Sequence, residues 1–263
     1  MRMAAPGIPG KWGWSQGRRW RGRGGDPLPG CSRGAPERAG THAGVPVAAG
    51  PGRRSLTVHG AAHRHRAPPV PTRWESSPMT TIVMSPGYTG SEPGHWQSVL
   101  EASRPDVVRV QQRSWEHVDR QEWIAGVQRA LDTIPADERI IMVGHSCGSV
   151  ALAQWAHEHP RDERVAAFVL VTPADVDRPD RRPEIAEQRP LPHGPLPYPT
   201  HLVTSDDDPF LSPSRAEELA GDWAVDRHTV VSRGGHLATD DGRGRWPWME
   251  DLVDSLVQRV SRE

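Results

Sequence analysis

The sequence is poor in cysteine, and it lacks long apolar runs. Its 263 residues include two cysteines, Cys31 and Cys147, which are too few for a disulfide framework and fit a reducing compartment. No basic start is followed by the uninterrupted apolar run of roughly 7–15 residues that a secretory signal needs. No stretch approaches the roughly 18 apolar residues of a membrane span. These absences predict a cytoplasmic protein with no membrane segment.

Charge is divided sharply between two parts of the chain. Residues 1–78 carry 13 basic and three acidic residues, whereas residues 79–263 carry 19 arginines, no lysine and 30 acidic residues. Glycine and proline together make up 25 of the first 78 residues. Such a segment buries too little apolar surface to offset the entropy lost on ordering, so we expect a disordered extension.

The extension has two interpretations. Its basic stretch at 18–25, RRWRGRGG, could bind nucleic acid through charge and stacking. The near-exclusive use of arginine instead favours a GC-rich gene whose upstream DNA has been translated, with Met79 as the candidate true start. Nucleic acid is therefore not an expected partner. The loosely spaced His59, His63 and His65 lack cysteine or acidic partners in a folded context and predict no metal site.

From residue 80 onward, short β-branched runs alternate with helical patterns. This alternation predicts one α/β domain over residues 79–263, with a mostly parallel sheet and helices on both faces. The proline-rich segment at 173–199 is too short for a large lid domain. Strands are predicted at 80–85, 106–111, 139–146, 165–172, 200–205 and 227–232, and helices at 94–103, 119–134, 149–159, 213–223 and 246–260.

Two pentapeptides fit the pattern Gly-x-Ser-x-Gly, at 13–17 and at 144–148. The first lies in the extension, with no strand before it and no helix after it, and is a coincidence. The second follows the apolar run RIIMV and leads into SVALAQWA, the strand–turn–helix context of a serine nucleophile. Side chains at 144 and 148 would collide with the neighbouring strand and helix, so glycine is needed there. The pattern predicts Ser146 as a nucleophile.

A serine nucleophile needs a base, and the base needs an orienting acid. In an α/β-hydrolase the chain order is serine, acid, histidine. Asp206, Asp207 and Asp208 follow one predicted strand, and His236 follows the last, so all lie at carboxyl ends of strands and can converge. Asp175, at the end of the preceding strand, is an alternative acid. Asp206 and Asp207 are more typical of turn or capping residues.

Four stretches carry a family resemblance: PGYTGSEPGHW, GHSCGSVALAQWA, TSDDDPF and GGHLATDDGRGRWPWMEDLVDSL. Together they resemble the small serine hydrolases that include retinoblastoma-binding protein 9 and the bacterial YdeN-type proteins. The resemblance covers residues 79–263. It implies a compact α/β-hydrolase fold, with Asp208, directly before a Pro-Phe pair, as the acid and His236 as the base.

The expected activity is hydrolysis of a small-molecule ester, thioester or amide through an acyl-enzyme. His236 would take the proton from Ser146 and return it to the leaving group, while Asp208 would orient the imidazole. The oxyanion would be bound by the main-chain N–H groups of Cys147 and Tyr88. No cofactor and no metal are expected. A protein-binding scaffold that retains the fold is the alternative function, although an intact triad argues against it.

Other side chains near these motifs are expected to be structural. We expect the His145 ring to pack near the nucleophile turn without transferring protons, and the Cys147 thiol to be packed. Trp123, Trp155 and Trp248 fall on apolar helical faces and are predicted to be core residues. In the last helix, one apolar stripe is predicted from Trp248, Leu252, Leu256 and Val260. Trp96 fits either the core or the mouth of a pocket.

Overall fold

A computed structural model describes residues 79–262. The predicted disordered extension and the pentapeptide at 13–17 lie outside these residues. The candidate true start at Met79 stays a prediction. The predicted domain over 79–263 corresponds to the described part, apart from its last residue.

The described part contains a six-stranded sheet in the order β2-β1-β3-β4-β5-β6. Every neighbouring pair of strands is parallel, as the alternation of strands and helices predicts. The strands are β1 (Thr80–Ser85), β2 (Val107–Arg109), β3 (Arg139–His145), β4 (Val165–Val171), β5 (Thr200–Ser205) and β6 (Arg227–Val231).

Helices cover both faces of this sheet. The helices are α1 (Trp96–Ala102), α2 (Arg120–Leu131), α3 (Cys147–Glu158), α4 (Pro213–Asp222) and α5 (Pro247–Val260). Helices α2, α3 and α4 contribute to one apolar core, and α1 and α5 contribute to a second core on the opposite face. Among the described helices, none has the length and apolar character needed to cross a membrane.

The central strands are continuously apolar because they are buried on both faces. In β3, Ile140 and Met142 belong to the core with α2, α3 and α4. Ile141 and Val143, which alternate with them, belong to the core with α1 and α5. Side chains that point alternately to opposite faces require an apolar residue at every position when both faces are covered.

The apolar face of α5 differs from the predicted one. Leu256 and Val260 are buried as expected, but Trp248 and Leu252 are only partly buried and pack at the edge of the core. Met249, one residue after Trp248, is buried instead. Its spacing of seven and eleven residues from Leu256 and Val260 places all three on one helical face. The prediction that Trp248 is a core residue was wrong.

Candidate active site

Ser146 lies in the sharp turn between β3 and α3. Its backbone has φ 53° and ψ −126°, a strained conformation for a residue with a side chain. The Ser146 amide donates a 2.9 Å hydrogen bond to the Val171 carbonyl at the end of β4. Strand pairing therefore holds the strained residue at the carboxyl edge of the sheet.

Glycine is required on both sides of Ser146. A Cβ atom at Gly144 would lie 2.7 Å from the Cα atom of Ser149 in α3. A Cβ atom at Gly148 would overlap the main-chain oxygens of Ser85 and Pro86, where β1 ends. The turn therefore fits between helix and strand only without these side chains, as the sequence predicts.

The segment after β1 passes directly against this turn. A Cβ atom at Gly87 would lie 2.8 Å from the Cβ atom of Ser146. The next residue, Tyr88, lines the same cavity as Ser146 and Cys147. Within residues 79–262, neither the Tyr88 amide nor the Cys147 amide donates to a main-chain carbonyl. The segment that carries Tyr88 thus lies against the turn that carries Ser146 and Cys147.

Asp208 and His236 form a hydrogen-bonded pair. The His236 Nδ1 atom lies 3.0 Å from each carboxylate oxygen of Asp208, whose side chain is fully shielded from solvent. The Phe210 amide donates to Asp208 Oδ1 at 2.8 Å, and the Phe210 ring meets the His236 ring edge-on at 4.7 Å. A carboxylate accepts only, so Nδ1 carries the proton and Nε2 is left as an acceptor in the neutral ring.

The two other acids after β5 hold the loop that carries His236. The Arg233 amide donates to Asp206 Oδ1 at 2.6 Å, and the Gly235 amide donates to Asp207 Oδ1 at 2.7 Å. The three consecutive aspartates therefore bind three nearby groups of one loop, which are the Arg233 amide, the Gly235 amide and the His236 ring. Asp206 and Asp207 were predicted to be turn or capping residues, but the loop that they cap was not predicted.

Asp175 has a different partner. Its Oδ1 atom lies 3.6 Å from the Nε atom of Arg215 in α4, and it lines a small separate cavity of about 70 Å³. The carboxylate that contacts His236 is that of Asp208. The geometry thus favours Asp208 over Asp175 as the orienting acid.

Two further side chains bind the main chain around His236. The His145 Nε2 atom lies 2.9 Å from the His236 carbonyl oxygen, and burial lowers the pKa of His145 well below its ordinary value. The neutral ring therefore donates through Nε2–H. Trp96 Nε1–H donates to the Leu237 carbonyl at 3.1 Å. Trp96 is buried and supports the histidine loop from the core.

The thiol of Cys147 is buried beside Ser146. Burial raises the pKa of this thiol to about 12. Hydrogen bonding from the Tyr88 main chain and the Ser146 side chain lowers the same pKa, but by less. A thiol that stays protonated is a poor nucleophile. The side chain of Cys147 is therefore packed, as predicted.

A cavity of about 590 Å³ opens above Ser146 and His236. Its lining includes the apolar side chains of Ile185 and Phe210 and the polar side chains of Glu92, His95 and Thr239. Its volume suits a small organic molecule. Across residues 79–262, no cluster of three or more histidine, cysteine or acidic side chains could hold a metal ion.

The chain matches known proteins over the same region. A family model described as serine hydrolase matches residues 82–255. A YdeN-like hydrolase from Pectobacterium atrosepticum is 28% identical, with a TM-score of 0.60 over 68% of this chain and 91% of that one. The YdeN gene product of Bacillus subtilis is 19% identical, with a TM-score of 0.54 over 68% of this chain and 99% of that one.

A comparison with curated proteins gave no match. The family model nevertheless spans well over half of the chain, and the parallel sheet covered by helices agrees with the structures of these relatives. The resemblance seen in the sequence is confirmed: the chain belongs to the serine hydrolase family, of the YdeN type, and is a hydrolase with the α/β-hydrolase fold.

Proposed function

We propose that the protein hydrolyses small esters, thioesters or amides through an acyl-enzyme on Ser146, with His236 as the base and Asp208 as the orienting acid. One observation carries this proposal: His236 Nδ1 lies 3.0 Å from both oxygens of the shielded Asp208 carboxylate, and His236 lines one cavity with Ser146. A serine, a buried carboxylate and a histidine in this chain order are the groups that acyl transfer requires.

In the first half of the reaction, His236 Nε2 takes the proton from the Ser146 hydroxyl while Oγ attacks the substrate carbonyl carbon. The carbonyl oxygen becomes an oxyanion and accepts hydrogen bonds from the amides of Cys147 and Tyr88. The tetrahedral intermediate then collapses. The bond to the leaving group breaks, and that group leaves with the proton from His236.

In the second half, a water molecule gives a proton to His236 and attacks the acyl carbon. The second tetrahedral intermediate breaks its bond to Ser146 Oγ, which recovers the proton from His236. The acid product leaves and the enzyme is restored. An alcohol or amine in place of water would give acyl transfer through the same residues.

The shape of the cavity supports a small substrate with a short apolar part. Ile185 and Phe210 offer an apolar surface beside His236. Each methylene group buried against such a surface contributes about 0.8 kcal/mol of binding. We therefore expect esters with a few more methylene groups in the acyl chain, such as butyrates, to be cleaved more efficiently than acetates.

The test is trapping of the acyl-enzyme with 4-nitrophenyl butyrate. After rapid acid quench, intact-mass analysis is expected to show one butyryl group on the wild type and none on Ser146→Ala. The variant should lose at least about 10³-fold in kcat/KM. Ser255→Ala, which removes an exposed serine hydroxyl on α5, is the matched control and should behave as the wild type. Full activity of Ser146→Ala would overturn the proposal.

A further inference from the structure

We propose that His95 is a substrate-binding residue whose Nε2–H donates a hydrogen bond to an oxygen atom of the substrate. This oxygen is additional to the carbonyl that Ser146 attacks. The inference rests on the proposed function, because it concerns the substrate of that same site.

The tautomer of His95 is fixed by helix α1. His95 is the N-cap of this helix, and its Nδ1 atom accepts a 3.2 Å hydrogen bond from the Gln97 amide. A main-chain N–H can only donate, so Nδ1 carries no proton. Burial lowers the pKa of His95 to about 4. The attraction of the Glu92 carboxylate raises the same pKa, but by less. The ring is therefore neutral near pH 7, with its single proton on Nε2.

This Nε2–H group is buried and has no partner. His95 is 3% exposed, and its Nε2 atom makes no hydrogen bond within the described residues. A buried donor without an acceptor is destabilising. Nearly all buried polar groups in proteins are paired, so an unpaired donor on a residue that lines this cavity indicates a partner that the described residues do not supply.

The position of His95 supports this assignment. His95 lines the 590 Å³ cavity together with Ser146 and His236. Its ring is 4.7 Å from that of His145, and the His145 ring is 4.9 Å from that of His236. His95 thus lies one imidazole away from the proposed base.

The neutral ring selects the chemistry of its partner. The Nε2–H group of the neutral ring is a donor only. The matching substrate group is an acceptor oxygen, as in a hydroxyl, an ether or a second carbonyl. Such an oxygen could belong to the acyl part or to the alcohol part of an ester, and the two are separable by experiment.

Two pairs of esters test the inference. Within each pair, one ester carries an oxygen where the other has a carbon: a hydroxyl in place of a methyl group in the alcohol pair, and an ether oxygen in place of a methylene group in the acyl pair. The alcohol pair is 2-hydroxyethyl butyrate and propyl butyrate. The acyl pair is propyl 3-methoxypropionate and propyl pentanoate. In the wild type, kcat/KM should favour the oxygen-bearing member of one pair by about tenfold, and the identity of that pair locates the oxygen.

His95→Asn is the decisive variant, because asparagine is also a good N-cap and can still accept from the Gln97 amide. It should retain the wild-type unfolding temperature within a few degrees and lose the preference for the extra oxygen. His95→Ser, a second variant with a capping oxygen, should do the same and guards against a folding defect in the first. His157→Asn, which changes an exposed histidine at the end of α3, should keep the wild-type preference.

The outcomes separate this inference from the proposed function. Equal kcat/KM for both members of both pairs in the wild type would overturn the inference, and so would a preference that survives in folded His95→Asn and His95→Ser. In either case, butyryl-enzyme formation on Ser146 would still stand. Absence of any acyl-enzyme on the wild type would instead remove the proposed function, and the inference with it.

Discussion

The imidazole of His145 donates a 2.9 Å hydrogen bond to the main-chain carbonyl of His236. The residue directly before the proposed nucleophile therefore holds the residue proposed as its base. The Thr172 hydroxyl donates to the same carbonyl at 3.2 Å. The ends of β3 and β4 are thus tied to the loop after β6, and nucleophile and base are positioned as one unit.

Removing this contact should slow the chemistry more than it weakens substrate binding. His145→Leu is expected to lower kcat by about 10- to 100-fold with little change in KM, because a displaced His236 no longer meets Ser146 correctly. His145→Gln, whose side-chain amide can donate to the carbonyl, should restore part of kcat. Steady-state kinetics on a 4-nitrophenyl ester measures both. Equal kcat for His145→Leu and the wild type would show that the contact does not position His236.

The choice between the two candidate acids can be tested by isosteric substitutions. Asp208→Asn should reduce kcat by about 10³–10⁴-fold, because an amide favours the wrong tautomer of His236. Asp175→Asn is the matched control, since its carboxylate contacts Arg215 instead, and it should keep kcat within about threefold. Stopped-flow measurement of ester hydrolysis distinguishes the two. A larger loss of kcat in Asp175→Asn than in Asp208→Asn would instead assign the role of orienting acid to Asp175.

Two glycine-to-alanine substitutions test the nucleophile turn. Gly148→Ala places a Cβ atom against the main-chain oxygens of Ser85 and Pro86, and should lower the free energy of unfolding by at least about 1 kcal/mol and abolish activity. In Gly221→Ala, the new Cβ atom has nothing within 4 Å. Gly221 lies in α4, so this variant should be more stable by roughly 0.5–1 kcal/mol. Denaturant unfolding checks both, and a harmless Gly148→Ala would contradict the account of the turn.

Much of the fold could be predicted because its elements are encoded locally. The bounds of β1 and β5 match those expected from the sequence, since runs of apolar and β-branched residues end at turn-forming residues. Helix α3 begins at Cys147, two residues before the predicted start, because the strained turn at Ser146 leads straight into the helix. The face of α5 was predicted less well, because tryptophan is compatible with both core and edge positions.

The site could be predicted only in part. The chain order left several candidate acids, and the family resemblance selected Asp208, which the fold places in contact with His236. The contacts of Asp206 and Asp207 span 27 and 28 residues in the chain and leave no periodic trace in the sequence. His95 lies within the helix predicted at 94–103, and neither its position as the N-cap nor its unpaired Nε2 atom was predicted.

Buried neutral histidines should make the protein less stable in mild acid. Burial lowers the pKa of His201 to about 3 and that of His95 to about 4, whereas an unfolded histidine titrates near 6.5. Below pH 6.5 the unfolded chain therefore binds protons that the folded chain excludes, and stability falls as pH falls. Each group contributes a slope of up to about 1.4 kcal/mol per pH unit.

Denaturant unfolding between pH 7 and pH 5 measures this slope while most carboxylates remain ionised. His201→Gln should reduce the slope by about one proton, because glutamine does not titrate and can still bond to the Thr229 hydroxyl that contacts His201. A free energy of unfolding that stays constant from pH 7 to pH 5 would show that these histidines are protonated in the folded state.

The central claim is that Ser146 is an activated nucleophile. It is tested most directly by intact-mass analysis after treatment with a fluorophosphonate probe, on the wild type and on Ser146→Ala. The account predicts one adduct on the wild type, none on the variant, and loss of the adduct when Asp208→Asn is treated for the same short time. A folded wild type that gains no adduct would contradict the account and would favour a protein-binding scaffold that keeps the hydrolase fold.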